Sequence, residues 1–545
     1  MSITNLARIS KRELHLSQVY NSLVLIDDPL KLTIFPFSSL MIFLGFPKKP
    51  FGVNIYGGYQ EEISFESIHN LYHPNTVDGC FAHDGHGICY GKKYNGTWNT
   101  LAHKDRIVHF DSNTLTLLSN TFESDEKCTS APKLINTQSQ STIKVIERLS
   151  HFNNHVRDYN TIITTGFNET TAVDDGTIIR KITHPTDTDY VILNGPHIYV
   201  ANPLYKMPRT SVTNNASYDV IDLKKISSDF IPSTCFISGI DKIDFKGRIK
   251  GFASNNDTQQ EYWLDYYKLG ISEWVGPDAE RTLSGAIIPP SFHHIGTIVS
   301  VSFNELRDMV ELAGLISSLP LDFYMKVTGA KHVKLYRIET FPLGINSLYL
   351  DSLLIRTLRL NCVTERYNDL LHKVFKSNFN SEKWSIRDER LTSYMHIKKD
   401  WSEDFPFRNY FERRMALVEI DVISAMALGL SLGDLETIYS IQFPVFQQNE
   451  EDTWYDSKGD IVFTCSVGLK GVGLDRKSWE AMRGTLSDDG LTYSGTSDTY
   501  EHTIDPSKSE LYGGQKVTYY APYNRCDRIE DYRRAWAHFE KIFKY

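Results

Sequence analysis

The longest stretch of continuous hydrophobic pattern runs from Arg413 to Leu430. Apolar side chains cover every face of a helical wheel there, at positions Met415, Leu417, Val418, Ile420, Val422, Ile423, Ala425, Met426, Ala427 and Leu428. A helix that is apolar all round belongs inside a large domain. Glu419 and Asp421 interrupt the pattern. Because a buried carboxylate needs a hydrogen-bonded or cationic partner, we expect Arg413 or Arg414 to lie beside them.

The period of the pattern changes after this helix. Gly429 predicts its end, and Ser431 followed by Asp434 is typical of a capping box that starts a second helix through Tyr439. The letters WYD, an SKG turn and DIVFT in residues 454–464 indicate a β-hairpin, since a turn containing Gly separates two runs of strand formers. The order predicted for this segment is therefore helix, helix and hairpin.

The rest of the pattern divides the chain into three regions. Residues 1–140 alternate short apolar runs with Gly, Pro and Asn, which predicts a β-rich part, and the Ser- and Thr-rich residues 111–142 predict a polar linker. Residues 143–350 begin with a helix near Ile143 and continue with strands such as DYVIL and HIYVA. Residues 351–545 are more helical. The pattern predicts an α+β (mixed α/β) multi-domain protein.

The last helix of the chain shows a clear apolar stripe. Its members are Ile529, Tyr532, Trp536, Phe539 and Phe543, and Asp527 with Glu530 indicates where the helix starts. The basic residues that fall off this stripe are Arg528, Arg533, Arg534, Lys541 and Lys544. We expect them to form a solvated face; a face that binds phosphate or a partner is the alternative.

Composition and charge describe an ordinary globular chain. Apolar residues make up 41% and charged residues 23%, and the net charge of −9 leaves room for a local basic groove without requiring one. Seven scattered cysteines, an odd number, fit a reducing compartment better than a disulfide framework. The apolar run 32–46 is short for a membrane span and contains Pro36, which favours a strand pair or a hydrophobic interface. We expect a cytoplasmic protein without a membrane partner.

Six blocks of sequence resemble the same family. They are the segment 411–464, NGPHIYVANPLYKMPR with YDVIDL (194–223), ERTLSGAIIPP followed by HI (280–295), LPLDFYMKVTG (319–329), LRLNCVTERY (358–367) and YYAPYNRCDRIEDYRRAWAHFEK (519–541). These blocks resemble the C-terminal target-recognition region of type IIG and phage-growth-limitation adenine DNA methyltransferases. Such enzymes use S-adenosylmethionine and belong to bacterial restriction and phage-defence systems. The resemblance covers most of residues 190–545.

The resemblance also directs attention to a catalytic motif. Enzymes of this family flip the target adenine out of the duplex and hold its amine with an Asp/Asn-Pro-Pro-Tyr/Phe motif. The closest string here is Asn202-Pro203-Leu204-Tyr205, in which Leu204 replaces the second proline. In the family a similar string lies in the target-recognition region, downstream of the true motif. We therefore interpret it as a strand end and a proline turn that orient Lys206 and Arg209.

A methyl-donor site and a metal site are not predicted on this chain. The glycine clusters at 54–60 and 81–91 do not resemble the family's donor loop. Potential zinc ligands occur at Cys80, His83, His86 and Cys89. Four ligands so close in sequence cannot easily surround a zinc ion, so we expect local hydrogen bonding instead. Catalytic residues and S-adenosylmethionine are accordingly expected on a partner subunit.

The sequence therefore predicts the target-recognition (specificity) subunit of a split adenine DNA methyltransferase. It would bind double-stranded DNA for a separate catalytic methyltransferase subunit, with other defence-system proteins as further partners. Lysine and arginine would contact phosphates, and polar side chains on loops would read base edges. The residues predicted to contact DNA are Lys206, Arg209, Asn214, Arg281, His293, His294 and Lys326.

Two other functions stay open at this point. In the first alternative, the chain is a scaffold or interaction subunit of a defence complex and does not read DNA sequence. The run 32–46 and the N-terminal region would then form its assembly surface. In the second it is an autonomous methyltransferase with a degenerate motif, which would bind S-adenosylmethionine by itself.

Overall fold

The computed structural model describes most of the chain. The described residues are 63–94, 96–122, 134–135, 137–186, 190–213, 217–252, 261–276 and 278–544, with the backbone of three further strands at Leu23–Leu25, Leu32–Phe37 and Phe51–Asn54. Two compact units are present. The first unit comprises Met1–Asn153, Phe323–Gly329 and Gly429–Gln447, and the second comprises Asn154–Asp322, Ala330–Leu428 and Gln448–Tyr545. The mixture of helices and sheets confirms the predicted α+β, multi-domain class.

The first unit contains a mixed five-stranded sheet. Its strands, in spatial order, are Leu23–Leu25, Phe51–Asn54, Leu32–Phe37, Ser64–Ser67 and Val108–Asp111. A short hairpin of Lys93–Tyr94 and Thr97–Trp98 follows, and the helices are Asn75–Ala82, Ser112–Phe122, Gln140–Ser150 and Leu432–Gln442. Part of the apolar run 32–46 is thus a strand, as predicted; residues 38–46 lie outside the described residues.

The polar linker predicted at 111–142 is wrong over part of its length. Residues Ser112–Phe122 form a helix that buries Leu115, Leu118 and Phe122, which recur at helical spacing. The many Ser, Thr and Asn residues between these positions obscure the apolar stripe in the sequence. A second helix, Gln140–Ser150, begins after Ser139, whose side chain accepts a hydrogen bond from the Thr142 backbone N–H.

The second unit is built around an antiparallel four-stranded sheet. Its strands, in order, are Gly285–Ile288, Lys268–Ser272, Ile298–Phe303 and Thr161–Thr164. Smaller pairs are Val191–Leu193 with Phe292–His294, Lys206–Pro208 with Tyr218–Val220, and Ile178–Thr183 with Thr234–Ser238. The helix Leu306–Ser317 packs on the four-stranded sheet and on Ser347–Asn361, which in turn packs on Tyr410–Ala427. The core of this unit therefore lies between one sheet and a layer of helices.

The C-terminal part of the second unit contains a sheet of its own. The strands are Ile461–Phe463, Trp454–Tyr455, Tyr523–Asn524 and Thr492–Tyr493, and a separate hairpin joins Thr499–Thr503 to Lys516–Tyr520. The remaining α-helices among the described residues are Glu169–Asp174, Lys242–Gly247, Leu319–Val327, Leu335–Glu339, Asn368–Val374, Pro444–Glu451, Arg476–Met482 and Arg528–Phe543. The boundary predicted near residue 350 falls inside the helix Ser347–Asn361, and both sides of it belong to the second unit.

The predicted buried helix is confirmed as Tyr410–Ala427, but the predicted partners of its carboxylates are wrong. Glu419 accepts a hydrogen bond from Arg356 Nε at 2.6 Å, and Asp421 accepts one from Arg528 Nη1 at 2.9 Å. Arg413 instead donates to backbone carbonyls. Glu419 and Asp421 lie between five and eight residues after Arg413 and Arg414, beyond the spacing of three or four residues at which side chains of one helix meet, so the neutralising cations come from other helices.

The elements that follow this helix agree with the prediction. Gly429 has φ +76°, the left-handed conformation in which glycine commonly ends a helix. The Ser431 hydroxyl accepts from the Asp434 N–H, and the Asp434 carboxylate accepts from the Ser431 N–H, which completes the capping box. The predicted hairpin is formed by Trp454–Tyr455 and Ile461–Phe463.

Candidate nucleic-acid interface

The predicted residues Lys206 and Arg209 lie on a short hairpin of the second unit. Antiparallel pairing joins Lys206–Pro208 to Tyr218–Val220, and the Arg209 N–H extends it by donating to the Ser217 carbonyl at 3.0 Å. Turns on a rigid scaffold are where recognition side chains commonly lie. Asn214, also predicted to contact DNA, falls outside the described residues.

Arg209 fastens the hairpin to the rest of the unit. Its Nε donates to Asp219 Oδ1 at 2.9 Å, and its guanidinium also donates to the Lys508 carbonyl. Asp219 Oδ2 in turn accepts from the backbone N–H groups of Glu510 and Leu511 at 2.7 and 2.9 Å. Because its donors already have protein acceptors, Arg209 positions the hairpin and is a poor candidate for reading bases.

Lys206 is in a different situation. Its side chain is half-buried, and its Nζ lies 4.7 Å from the centroid of the Tyr205 ring. The structure shows no ion pair between Lys206 and a carboxylate among the described residues. Burial lowers the pKa of this ammonium. An approaching phosphate would therefore meet a cation that lacks a counter-charge.

The Tyr205 ring holds Lys206 in place and connects it to a second loop. This ring stacks on Tyr199 with the centroids 4.7 Å apart, and its hydroxyl donates to the Gly468 carbonyl. The loop that contains Gly468 continues to the exposed Lys470, and Lys508 is exposed on the segment that Arg209 contacts. The hairpin and these two loops make up what we call the hairpin surface: residues 205–213, 217–219, 466–471 and 505–511.

The Asn202-Pro203-Leu204-Tyr205 string forms a local turn. The Asn202 side-chain oxygen accepts from the Leu204 N–H at 3.1 Å, so the amide is used within the turn. The HIYVA segment before it was predicted as a strand, and that prediction is wrong. Gly195–His197 form a 3₁₀ turn, and Tyr199 makes only an isolated bridge to Asn202. A Pro at position 196 and the tight return of the chain outweigh the β-forming residues.

Arg281 was predicted to contact DNA but lies inside the second unit. Its Nε donates to Asp322 Oδ2 at 2.5 Å, and its Nη2 donates to the Ser317 carbonyl at 2.8 Å. The same carboxylate accepts from the N–H groups of Thr282 and Leu283, each at 3.0 Å. The arginine therefore joins a strand to the start of a helix, and a duplex cannot reach it in this structure.

His293 and His294 are also buried in the second unit. The His293 ring stacks on Phe167 with the centroids 3.7 Å apart, and His294 Nε2 is 2.8 Å from the Ser300 hydroxyl. Burial lowers the pKa of both imidazoles, that of His294 to about 3. Both rings are neutral near pH 7 and contribute no positive surface charge.

Lys326, the last predicted contact residue, is buried in the first unit. Its Nζ lies 4.9 Å from the centroid of the Phe443 ring, a cation–π arrangement. Among the predicted contact residues of the second unit that the structure describes, Lys206 and Arg209 share a surface, whereas Arg281, His293 and His294 are buried elsewhere in it.

Two observations concern the metal site and the methyl-donor loop that were considered in the sequence. No group of three or more His, Cys, Asp or Glu side chains there is arranged to hold a metal ion. The glycine-containing segment 81–91 follows the helix Asn75–Ala82, and not a strand as in a donor loop. The glycines at 57 and 58 lie outside the described residues.

Sequence comparisons with family models and with curated proteins found no relative. No protein-family model matches the chain, and no curated protein is similar to it in sequence. Among the described residues, no helix is both long enough and apolar enough to cross a bilayer.

Proposed function

We propose that this chain is a DNA target-recognition subunit that works with a separate adenine methyltransferase subunit in a bacterial restriction or phage-defence system. The sequence blocks of residues 190–545 that resemble such enzymes support the proposal. S-adenosylmethionine and the catalytic residues would then be supplied by the partner subunit. The proposal places the chain in the cytoplasm, where the DNA is.

The observation that carries the proposal is the position of Lys206. It lies on an anchored hairpin, its ammonium has no carboxylate partner within the described residues, and burial already lowers its pKa. Contact with a phosphate would stabilise the charged form of Lys206, which burial disfavours. Arg209 would act beside it as a positioning residue, since its guanidinium is held by Asp219.

The Lys206→Ala variant tests this role. Affinity for a mixed-sequence 30-base-pair duplex is measured by fluorescence anisotropy between 50 and 200 mM salt. Losing one phosphate contact should reduce the slope of log affinity against log salt concentration by about 0.9 and weaken binding uniformly across sequences. Lys398→Ala, which removes an exposed lysine from the same unit, serves as the matched control and should leave the slope unchanged.

Two outcomes would contradict the proposal. The first is that the unaltered chain does not bind the duplex at 50 mM salt. The second is that Lys206→Ala and Lys398→Ala give equal slopes.

An interaction subunit without sequence readout is the second candidate function. Four large apolar side chains of the first unit, Phe81, Ile88, Trp98 and Leu101, are between 45% and 67% exposed. Exposed apolar side chains that form one contiguous patch are typical of protein docking sites. Co-expression with the neighbouring genes separates the two functions: a stable complex that contains no methyltransferase subunit would favour the scaffold.

A further inference from the structure

An exposed tryptophan, Trp274, lies just beyond the end of the strand Lys268–Ser272 in the second unit's main sheet. The chain that leaves the strand Lys268–Ser272 pairs with a segment far along the sequence: the Val275 N–H donates to the Lys331 carbonyl at 3.0 Å, and the Val333 N–H donates to the Glu273 carbonyl at 2.9 Å. Trp274 and His332 are partners in this bridge. The backbone at Trp274 is therefore held in β-structure, which fixes the point from which the indole projects.

The alternation of side chains along this bridge directs Trp274 outward. Val275 and Val333 are both buried, so the residues next to them point to solvent. Trp274 is 68% exposed, the largest exposed fraction of any tryptophan among the described residues. Its ring meets the edge of the His332 imidazole at a centroid distance of 4.7 Å and an interplanar angle of 63°. His332 contacts one part of the indole, and most of the tryptophan surface stays exposed.

The segment that pairs with Trp274 is rich in basic residues. The sequence from Lys331 to Arg337, KHVKLYR, contains three basic residues and one histidine but no carboxylate. Glu273 offsets part of this charge: its carboxylate is 2.9 Å from His332 Nδ1 and 3.5 Å from Lys334 Nζ. These contacts hold His332 and Lys334 on the carboxylate of Glu273, the residue that precedes Trp274.

A second aromatic ring follows within the same segment. Tyr336 is 46% exposed in the short helix Leu335–Glu339, and the guanidinium of Arg337 lies 5.6 Å from its ring centroid. Aromatic faces interleaved with cations are the arrangement that binds single-stranded nucleic acid, because each base stacks on a ring while its phosphate meets a lysine or arginine.

We propose that Trp274 with the segment Lys331–Arg337, here called the tryptophan edge, binds single-stranded nucleic acid. Trp274 stacks on an unpaired base, and Lys331 and Lys334 contact the adjoining phosphates. A duplex suits this surface less well because its bases are already stacked on both faces. The charge pattern favours an anionic strand over an apolar protein segment. This site is separate from the hairpin surface and does not depend on the function proposed for it.

Binding of the full chain to fluorescein-labelled dT12 tests the proposal by anisotropy at 50 mM salt. Trp274→Ala should weaken binding about tenfold, since one stacked base is lost, whereas Trp274→Phe should retain most of the affinity. The Lys331→Ala, Lys334→Ala double variant should reduce the slope of log affinity against log salt by about 1.4, corresponding to two phosphates on a single strand.

Matched controls are available in the same chain. Trp98→Ala removes another exposed tryptophan with a lysine over its ring, and Lys398→Ala with Lys399→Ala removes two exposed lysines of the second unit. Neither control should change binding of dT12. The proposal is overturned if folded protein does not bind dT12, which would leave a protein as the occupant of the edge, or if Trp274→Ala and Trp98→Ala have the same effect. Duplex binding by the hairpin surface is measured separately with Lys206→Ala, so either site can fail alone.

Discussion

Replacing Arg528 with methionine is expected to lower the free energy of unfolding by about 3–5 kcal/mol, because it leaves buried carboxylates without a cation. Arg528 is almost fully buried. Its Nε and Nη2 donate to the two oxygens of Glu450 at 2.6 and 2.9 Å, and its Nη1 donates to Asp421 Oδ2 at 2.9 Å. Methionine keeps much of the side-chain volume but none of these donors.

The two carboxylates that Arg528 contacts are not equally well compensated. Burial would raise the pKa of Glu450, but the guanidiniums of Arg414 and Arg528 lower it to about 2. Burial raises the pKa of Asp421, even though Arg528, Tyr532 and the Leu319 N–H all donate to it. Without Arg528, Glu450 keeps one guanidinium, whereas Asp421 loses its bonded cation and must be protonated or rehydrated.

Urea denaturation followed by circular dichroism measures this loss. The matched control is Arg534→Met on the same helix, which breaks an exposed i,i+4 pair with Glu530. A surface pair of this kind contributes about 0.5 kcal/mol. Equal stabilities of the two variants would show that the buried network is not what holds the last helix in place.

Lys268→Met is expected to stabilise the protein by about 2 kcal/mol at pH 7. The ammonium of Lys268 is fully buried without a carboxylate in hydrogen-bond range among the described residues: its Nζ donates to the Phe292 carbonyl at 3.1 Å and lies 4.5 Å from the centroid of the Trp263 ring. Burial lowers its pKa from 10.5 to about 7. Each pKa unit corresponds to about 1.4 kcal/mol of stability that removal of the buried amine would restore. The Phe292 carbonyl, which loses its hydrogen-bond donor in the variant, offsets about 1–3 kcal/mol of this gain.

The sign of the pH dependence follows from the same shift. Between pH 7 and 10 the unfolded chain keeps a proton on Lys268 that the folded chain has lost, so the stability of the unaltered protein should rise with pH across this range. The methionine variant lacks this contribution, and the stability difference between the two proteins should shrink as pH rises from 7 to 9.

Thermal unfolding of both proteins at pH 7, 8 and 9 measures the effect. Lys181→Met, a substitution of an exposed lysine in the same unit, should give a difference that does not change with pH. A lower stability of Lys268→Met at pH 7 would show that the hydrogen bond and the Trp263 contact outweigh the cost of burying the amine.

Local signals in the sequence predicted local structure well. The glycine after Leu428, the Ser431 capping box, the hairpin at 454–464 and the terminal helix after Asp527 are all present. Each depends on residues a few positions apart, where backbone conformation and side-chain capping decide the outcome. The helix Ser112–Phe122 was missed because three apolar residues at helical spacing are a weak signal among polar neighbours.

Contacts between distant residues could not be predicted in the same way. Arg528 was assigned to a solvated face from its place off the apolar stripe, yet it is buried against Glu450, 78 residues earlier in the chain. The carboxylates Glu419 and Asp421 were expected to have a neighbouring arginine and have distant ones. The apolar period says which face of a helix is buried, but it does not say which charged residues meet there.

The candidate site shows the same limit. Lys206 and Arg209 were selected from one sequence block and share a hairpin, whereas Arg281, His293 and His294 were selected as polar residues within resembling blocks and are buried. Tertiary packing decides exposure. The segment KHVKLYR at 331–337 did contain a signal, since cations alternate with aromatic and apolar residues. The position of Trp274 beside it depends on the bridge between Trp274 and His332, which are 58 residues apart in the sequence.

Enrichment of a randomised 30-base-pair duplex pool by the full chain, alone and with a co-expressed methyltransferase subunit, tests target recognition most directly. If loops on the anchored hairpin read the DNA sequence, the bound duplexes should share one short motif. Each mismatched base pair would weaken binding by about 1–3 kcal/mol. The same motif should then carry N6-methyladenine when the partner is present. Recovery of duplexes without a shared motif, or a motif unchanged when the chain is omitted, would contradict the account.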